Sequence, residues 1–327
     1  MNDLENNGDK NAMLDTRDLK KYFHLKGNRK LHAVDGVSVR IAKGETLGLV
    51  GESGCGKTTF GRTIVRLYDP TDGQIILNGT DITHLPKSKM RPIRREMQMI
   101  FQDPYASLSP RSNVESIIAE PMLVNRMYKS TSETFTRVDE LMDIVGLARR
   151  FAGAYPHEIS GGLRQRVGIA RALATNPKFI VCDEPVSSLD VSIQAQIINL
   201  LMDLQRDLAL SYLFISHDLL VVKHISHTVS VMYMGESVET ASSEEIFTNP
   251  LHPYTKALLA STPEHNLKKR GAPMDVIRGE VSSPVDPKPG CRFAPRCSEA
   301  GPECGAARNF REITPGHFVA CHKVKVS

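Results

Sequence analysis

The stretch Gly51-Glu52-Ser53-Gly54-Cys55-Gly56-Lys57-Thr58 constrains this chain more than any other. It fits G-x-x-x-x-G-K-[ST], a loop that needs a strand before it and a helix after it. "TLGLVG" supplies a short apolar strand and "KTTFGRTIVRLY" the helix. The glycines let backbone N–H groups turn inward around phosphates. Lys57 places a point charge on the β- and γ-oxygens, Thr58 brings a hydroxyl to Mg²⁺, and Thr59 beside it joins the nucleotide-binding residues. At average composition the pattern arises by chance about once in a hundred chains of this length, and the strand–loop–helix context lowers that further. Cys55 occupies a variable position and reads as a small space-filler. The expected ligands are ATP and Mg²⁺.

The rest of the chain supports the same class. "GQIILNGTDI" reads as a strand, and "MQMIFQDPYASLSP" as a strand running into a loop. "FIVCDEP" and "SYLFISHDL" read as short buried strands, and "TVSVMYMGESVE" as a late hairpin. Residues 112–175 are mainly helical in pattern, and "IQAQIINLLMDLQRDLAL" is a further helix. Strands alternating with helices argue an α/β fold with a mostly parallel sheet. Composition shifts near residue 250, where seven of the nineteen prolines crowd between Pro250 and Pro289. An ATPase domain over 1–250 is expected, followed over 251–327 by a Pro-rich connector and a small cysteine-bearing subdomain.

Two acids end the apolar strand "FIVCDEP". Beside a phosphate loop, Asp183 is placed to hold Mg²⁺ and Glu184 to hold or deprotonate the attacking water. A second anion-binding helix end is written into "HEISGGLRQRVGIARAL". There Ser160 can cap the helix, and Gly161 and Gly162 leave N–H groups bare.

With "ISGGLRQR" upstream of "FIVCDEPVSSLD", the chain resembles the nucleotide-binding subunit of an ABC transporter over nearly its whole length. Gln102 in "FQDPYASLSPR" matches the family's Q-loop. Ser160-Gly161-Gly162 match its signature motif, Ser188-Leu189-Asp190 its D-loop and His217 its switch histidine. Phe23 in "LKKYF" matches the aromatic that stacks on adenine, with Tyr22 the alternative. The resemblance implies a P-loop NTPase (RecA-like) core over about 14–110 and 176–250, with an antiparallel β part and an inserted helical subdomain over about 111–175. It also implies head-to-tail pairing, with each nucleotide held between one subunit's phosphate loop and the other's signature helix. That pairing would explain why one chain carries two phosphate-grade helix ends. The signature departs from the family pattern at Ile159, where leucine is usual, and at Leu163, where glutamine is usual. Asp183 and Glu184 are intact, so the phosphate-loop side is expected to be competent for hydrolysis.

Cys291, Cys297, Cys304 and Cys321 crowd the last part of a chain with six cysteines. In a reducing compartment such a cluster suggests a metal before disulfides. Similar tails, and stretches like "NPLHPYTKALLASTP", end the ATPase subunits of oligopeptide, dipeptide and nickel importers. That resemblance implies a 4Fe–4S cluster on the four cysteines; zinc, disulfides and free thiols follow as alternatives. The C-x₂-C spacing common in zinc ribbons is absent.

The net charge of +4, from 41 basic and 37 acidic residues, carries no nucleic-acid tail. No run approaches the ~18 apolar residues of a membrane span, and the first residues carry no signal-peptide core. The expected function is that of an ATP-hydrolysing subunit energising import of di- and oligopeptides, peripheral on the cytoplasmic side of the inner or plasma membrane. Its partners would be a second ATPase subunit (a non-identical sister), two transmembrane permeases and an extracytoplasmic solute-binding protein, with no nucleic acid. Import of nickel or another small solute is the alternative. A soluble ABC ATPase acting on nucleic acid or ribosomes is the more distant one, because the chain has one cassette, no Trp and no basic stripe with aromatics.

Overall fold

The computed structural model of the protein describes residues 11–261, 283–306 and 310–325. Part of the Pro-rich connector, 262–282, lies outside them. Twelve strands are described: β1 (Ala12–His24), β2 (Lys30–Ala42), β3 (Thr46–Val50), β4 (Asp72–Leu77), β5 (Thr80–Asp81), β6 (Met97–Ile100), β7 (Phe179–Asp183), β8 (Ser211–Ile215), β9 (Thr228–Tyr233), β10 (Glu236–Ser242), β11 (Arg311–Thr314) and β12 (His317–Val319). The helices are α1 (Lys57–Ile64), α2 (Lys87–Glu96), α3 (Pro104–Ser107), α4 (Val114–Asn125), α5 (Thr131–Ile144), α6 (Gly161–Leu173), α7 (Val191–Leu208), α8 (Leu219–Ile225), α9 (Ser243–Thr248) and α10 (Pro253–Ala260).

The chain divides into two compact units. The first holds residues up to 42, 46–84 and those from 216 onward. Within it, β2-β1-β4-β5 form an antiparallel sheet, and β11-β12-β10-β9-β3 lie in that order, with β3 parallel to β9. All five residues of β3 are buried, as expected of a strand with no polar alternation. The sequence "GQIILNGTDI", expected to be one strand, is a hairpin: β4 and β5 turn about Asn78 (φ 45°) and Gly79 (φ 80°). Two successive positive φ values are what a two-residue primed turn requires. Helix α1 stops at Ile64 because Arg66 turns left-handed (φ 55°) and donates to the Ile82 carbonyl and to Asp69.

The second unit holds 43–45 and 85–215. Its strands run in the order β8-β7-β6, all parallel, and β7 and β8 are buried throughout. Helices α4, α5 and α6 each begin at a side-chain cap, from Asn113, Ser130 and Ser160 respectively. Met122, Val138, Leu141, Met142 and Val167 supply buried apolar faces on these three helices.

The C-terminal segment joins the first unit by main-chain pairing. β12 pairs with β10 at Glu239–Val319 and Thr240–Phe318. Behind that pairing the Glu239 carboxylate is fully buried. It accepts from the N–H groups of Leu251 (2.7 Å) and His252 (2.9 Å), and its Oε1 lies 2.7 Å from His317 Nε2. Burial alone would raise its pKa, but these hydrogen bonds outweigh burial and hold it low. His252, 1% exposed, caps α10 by accepting at Nδ1 from the Tyr254 N–H (3.0 Å).

Burial depresses the His252 ring pKa from 6.5 to about 4. Between those values the unfolded chain binds the extra proton, so stability is whole above pH 6.5 and declines as pH falls toward 4. The full decline is about 3 kcal/mol. His252→Asn keeps a capping acceptor without the titration. Its melting temperature should therefore fall less steeply than that of the parent between about pH 7 and pH 5 in thermal melts; parallel slopes would contradict this. Among the described residues no helix is long and apolar enough to cross a membrane.

Candidate nucleotide site

In the first unit, β3 delivers the chain into the loop 51–56 and α1 starts at Lys57. Gly51 (φ 152°) and Gly56 (φ 106°) are dictated by space as well as conformation. A Cβ at Gly51 would lie 2.1 Å from the Met232 carbonyl oxygen, and one at Gly56 2.0 Å from that of Ala33. Lys57 is 5% exposed and folds back over the loop, donating from Nζ to the carbonyls of Gly51 (2.7 Å) and Glu52 (3.0 Å). Ser53 and Gly54 are exposed, while Thr58 and Thr59 are half-buried on the first turn. Cys55 is buried, and burial pushes its thiol pKa up, so it fills space as a neutral group.

Phe23 is half-buried at the end of β1, edge-on to Tyr68 with centroids 5.5 Å apart, and Lys21 Nζ lies 5.0 Å from its ring centre. Tyr22, the alternative, is otherwise engaged: it stacks on His32 at 4.0 Å and donates its hydroxyl to Asp35. His217 is exposed on the turn after β8, between buried Ser216 and Asp218, which caps α8.

In the second unit, Asp183 ends β7 fully buried. Glu184 follows in the left-handed region (φ 45°), rare for a non-glycine residue and worth roughly 1–3 kcal/mol of local strain. Its N–H still reaches the Ile215 carbonyl at 3.0 Å, extending the β7–β8 ladder by one bond. Gln102, just past β6, donates from Nε2 to Glu184 Oε2 at 2.9 Å. The structure thus brings the expected Q-loop glutamine onto the expected base. Ser160 caps α6, accepting from the Leu163 N–H at 3.4 Å. Asp190 caps α7, accepting from the Ile193 N–H at 3.0 Å, and the Ser192 hydroxyl at 2.7 Å holds its pKa low.

The glycines of the signature have a packing reason that sequence did not disclose. A Cβ at Gly162 would lie 2.6 Å from Ile193 Cγ2, and one at Gly161 3.3 Å from Leu189 Cδ2. The D-loop helix therefore lies directly against the start of α6. Two arginines of α6 also hold the segment after Gln102. Arg164 sits 5.1 Å from the Tyr105 ring centre, and Arg171 donates to the Ser107 carbonyl at 2.5 Å.

These features define the ATP-binding cassette class, and comparison with known proteins agrees. Residues 34–187 match the ABC transporter family, and residues 238–304 match the oligopeptide/dipeptide transporter C-terminal region. The chain is 53% identical over 322 residues to the oligopeptide transport ATP-binding protein AppF of Bacillus subtilis, covering 95% of this chain and 97% of that one. It is 48% identical over 323 residues to OppF of Escherichia coli, covering 96% of each. Among solved structures it resembles the ATP-binding cassette MJ0796 in a dimer bound to ADP and Pi, with TM-score 0.65 and 28% identity over 71% of this chain and 99% of that one. CbiO1 of Clostridium perfringens, part of an ABC transporter complex, gives TM-score 0.65 and 25% identity over 73% of this chain and 92% of that one. The chain belongs to the ATP-binding subunits of ABC transporters, in the branch with the oligopeptide/dipeptide transporter C-terminal region. It is an ATPase with the P-loop fold and mixed α/β sheets, and the class implies ATP and Mg²⁺.

The expectation of an iron–sulfur cluster requires correction. Cys291, Cys297, Cys304 and Cys321 do line one cavity, with His252 and His322. Among the described residues, however, no group of three or more His, Cys, Asp or Glu side chains is arranged to hold a metal ion. Burial raises the thiol pKa of Cys291 and Cys297. Cys304 Sγ accepts from the Gly301 N–H at 3.5 Å. Neither AppF nor OppF is named for a cluster.

Two residues against the phosphate loop escaped sequence reasoning. The Glu52 N–H donates to the Tyr254 hydroxyl at 2.9 Å, and Arg296 grips the Glu52 carboxylate at 2.7 and 3.0 Å. No local pattern marks contacts that span 202 and 244 residues.

Proposed function

We propose that this chain hydrolyses ATP to energise an importer of di- and oligopeptides. It would work with a second, non-identical ATPase subunit, two membrane-spanning permeases and an extracytoplasmic solute-binding protein, on the cytoplasmic face of the membrane. What carries the reading is the match of residues 238–304 to the oligopeptide/dipeptide transporter C-terminal region, together with near-full-length similarity to AppF and OppF.

The roles follow the chemistry of each group. The N–H groups of the loop from Gly51, through Ser53, Gly54, Cys55 and Gly56, with Lys57 and Thr59, bind the phosphates, and Phe23 stacks on adenine. Thr58, Gln102 and Asp183 are oxygen donors suited to Mg²⁺, which would neutralise charge on the phosphate oxygens. Glu184 acts as base, and His217 contacts the γ-phosphate. Ser160, Gly161, Gly162 and Asp190 serve the partner's nucleotide. The finer architecture we assign is a RecA-like core carrying a helical subdomain over about 111–175, with an ATPase domain to 250 and a cysteine-bearing C-terminal part beyond.

The test is purification of the tagged chain from detergent-solubilised membranes, with its partners identified by mass spectrometry. Polytopic subunits and a sister ATPase should accompany it, and the reconstituted complex should show peptide-stimulated ATP turnover. Recovery without polytopic partners, or stimulation by nickel and not by peptides, would overturn the reading.

A further inference from the structure

Glu52 puts a carboxylate inside a loop built to receive a polyanion. Two groups from beyond residue 250 hold it. Arg296 makes a two-pronged pair with its oxygens at 2.7 and 3.0 Å, and Tyr254 accepts from its N–H at 2.9 Å. The pair is well shielded, with the Arg296 side chain 6% exposed and that of Glu52 25%. Arg296 Nη1 also reaches the Tyr233 hydroxyl at 3.4 Å. The rings of Tyr233, Tyr254 and Phe293 pack on one another with centroids 4.7–5.3 Å apart, which fixes both anchors in place. Four residues before Arg296, Arg292 binds Asp35 and the Met234 carbonyl, so the segment is pinned twice.

We propose that Arg296 and Tyr254 are positioning residues for ATP binding: the C-terminal segment neutralises Glu52 and fixes the backbone of the phosphate loop. The physical argument has two parts. An uncompensated carboxylate near the triphosphate repels it, and a planar guanidinium holding both oxygens removes that repulsion. A loop whose N–H groups are already oriented binds without first paying to be ordered. The inference rests on the chain's being an ABC ATPase and not on which solute is transported.

The test is calorimetric titration of the full-length protein with Mg-ATP, alongside steady-state turnover. Arg296→Met should weaken ATP binding and raise KM about tenfold, with kcat at saturating ATP within about twofold of the parent. Arg296→Lys should recover only part of the loss, because an ammonium cannot hold both oxygens. Adding Glu52→Gln to Arg296→Met should restore affinity to within about threefold of the parent, since the unpaired charge is gone. Tyr254→Phe, which keeps the ring packing, should weaken binding about threefold. A lowered melting temperature with unchanged affinity and KM would overturn the proposal. So would a double variant that binds no better than Arg296→Met. Should Arg296→Met fail to fold, Arg296→Lys decides the matter: parental affinity in that variant overturns it.

Discussion

Glu184→Gln is expected to lower ATP turnover about 10²–10⁴-fold while leaving ATP binding intact. The substitution changes one oxygen for an amide and preserves shape, so the left-handed turn at Glu184 and its ladder bond to Ile215 should survive. What is lost is the capacity to accept a proton from water. The geometry favours this group over its neighbour. Asp183 is fully buried at the strand end, whereas Glu184 is half-buried and its Oε2 is already aimed by Gln102 at 2.9 Å. Binding and chemistry are separable in the measurement. Equilibrium titration reports affinity, and single-turnover hydrolysis reports the chemical step. Affinity for ATP should be unchanged or higher, since a negative charge has been removed. Turnover within tenfold of the parent would exclude Glu184 as the base.

How much of this was legible in the sequence depends on where the deciding atoms lie. The phosphate loop was legible because its glycines, lysine and threonine act through local backbone geometry: Gly51 and Gly56 sit where a Cβ would strike a carbonyl, and Gly54 holds a left-handed φ of 77°. The acids at 183–184 were legible because four apolar residues before them forced a buried strand. β1 was not. "AMLDTRDLKKYFH" shows no clean alternation, since Asp18 turns left-handed (φ 46°) and the register to β2 slips between Thr16 and Leu19. The Asn-Gly turn between β4 and β5 was a signal present and unread. The cysteine tail misled because spacing reports that thiols are near one another, and says nothing about whether they ionise or converge on one ion. Among the described residues the side chains show no such convergence. Arg296 and Tyr254 belong to neither case: their meaning lies in a partner more than 200 residues away.

Ser160→Asp is expected to reduce turnover about 10³-fold or more, the scale on which a stabiliser donated in trans acts, without weakening ATP binding to the single subunit. Aspartate caps a helix as well as serine does, so α6 should keep its start and the fold its stability. It also sets a carboxylate where an approaching γ-phosphate must be accommodated, converting an anion-binding helix end into one that repels anions. The surroundings of Ser160 favour a role across an interface. It is exposed, Val191 at the start of α7 is 81% exposed, and Ile193 and Leu189 lie tight against Gly162 and Gly161. Lys57→Ala separates the two roles, because it should abolish binding to the variant's own loop while leaving its Ser160 able to serve a partner. In a mixture of Ser160→Asp and Lys57→Ala copies, each inactive alone, mixed pairs carry one intact site, and roughly a quarter of parental turnover should return if identical copies pair. With a non-identical sister the same logic assigns the Ser160→Asp loss to the sister's nucleotide and the Lys57→Ala loss to this chain's own. Either result requires nucleotide held by surfaces from two polypeptides. A Ser160→Asp protein that stays monomeric during turnover and hydrolyses ATP at the parental rate would refute that requirement.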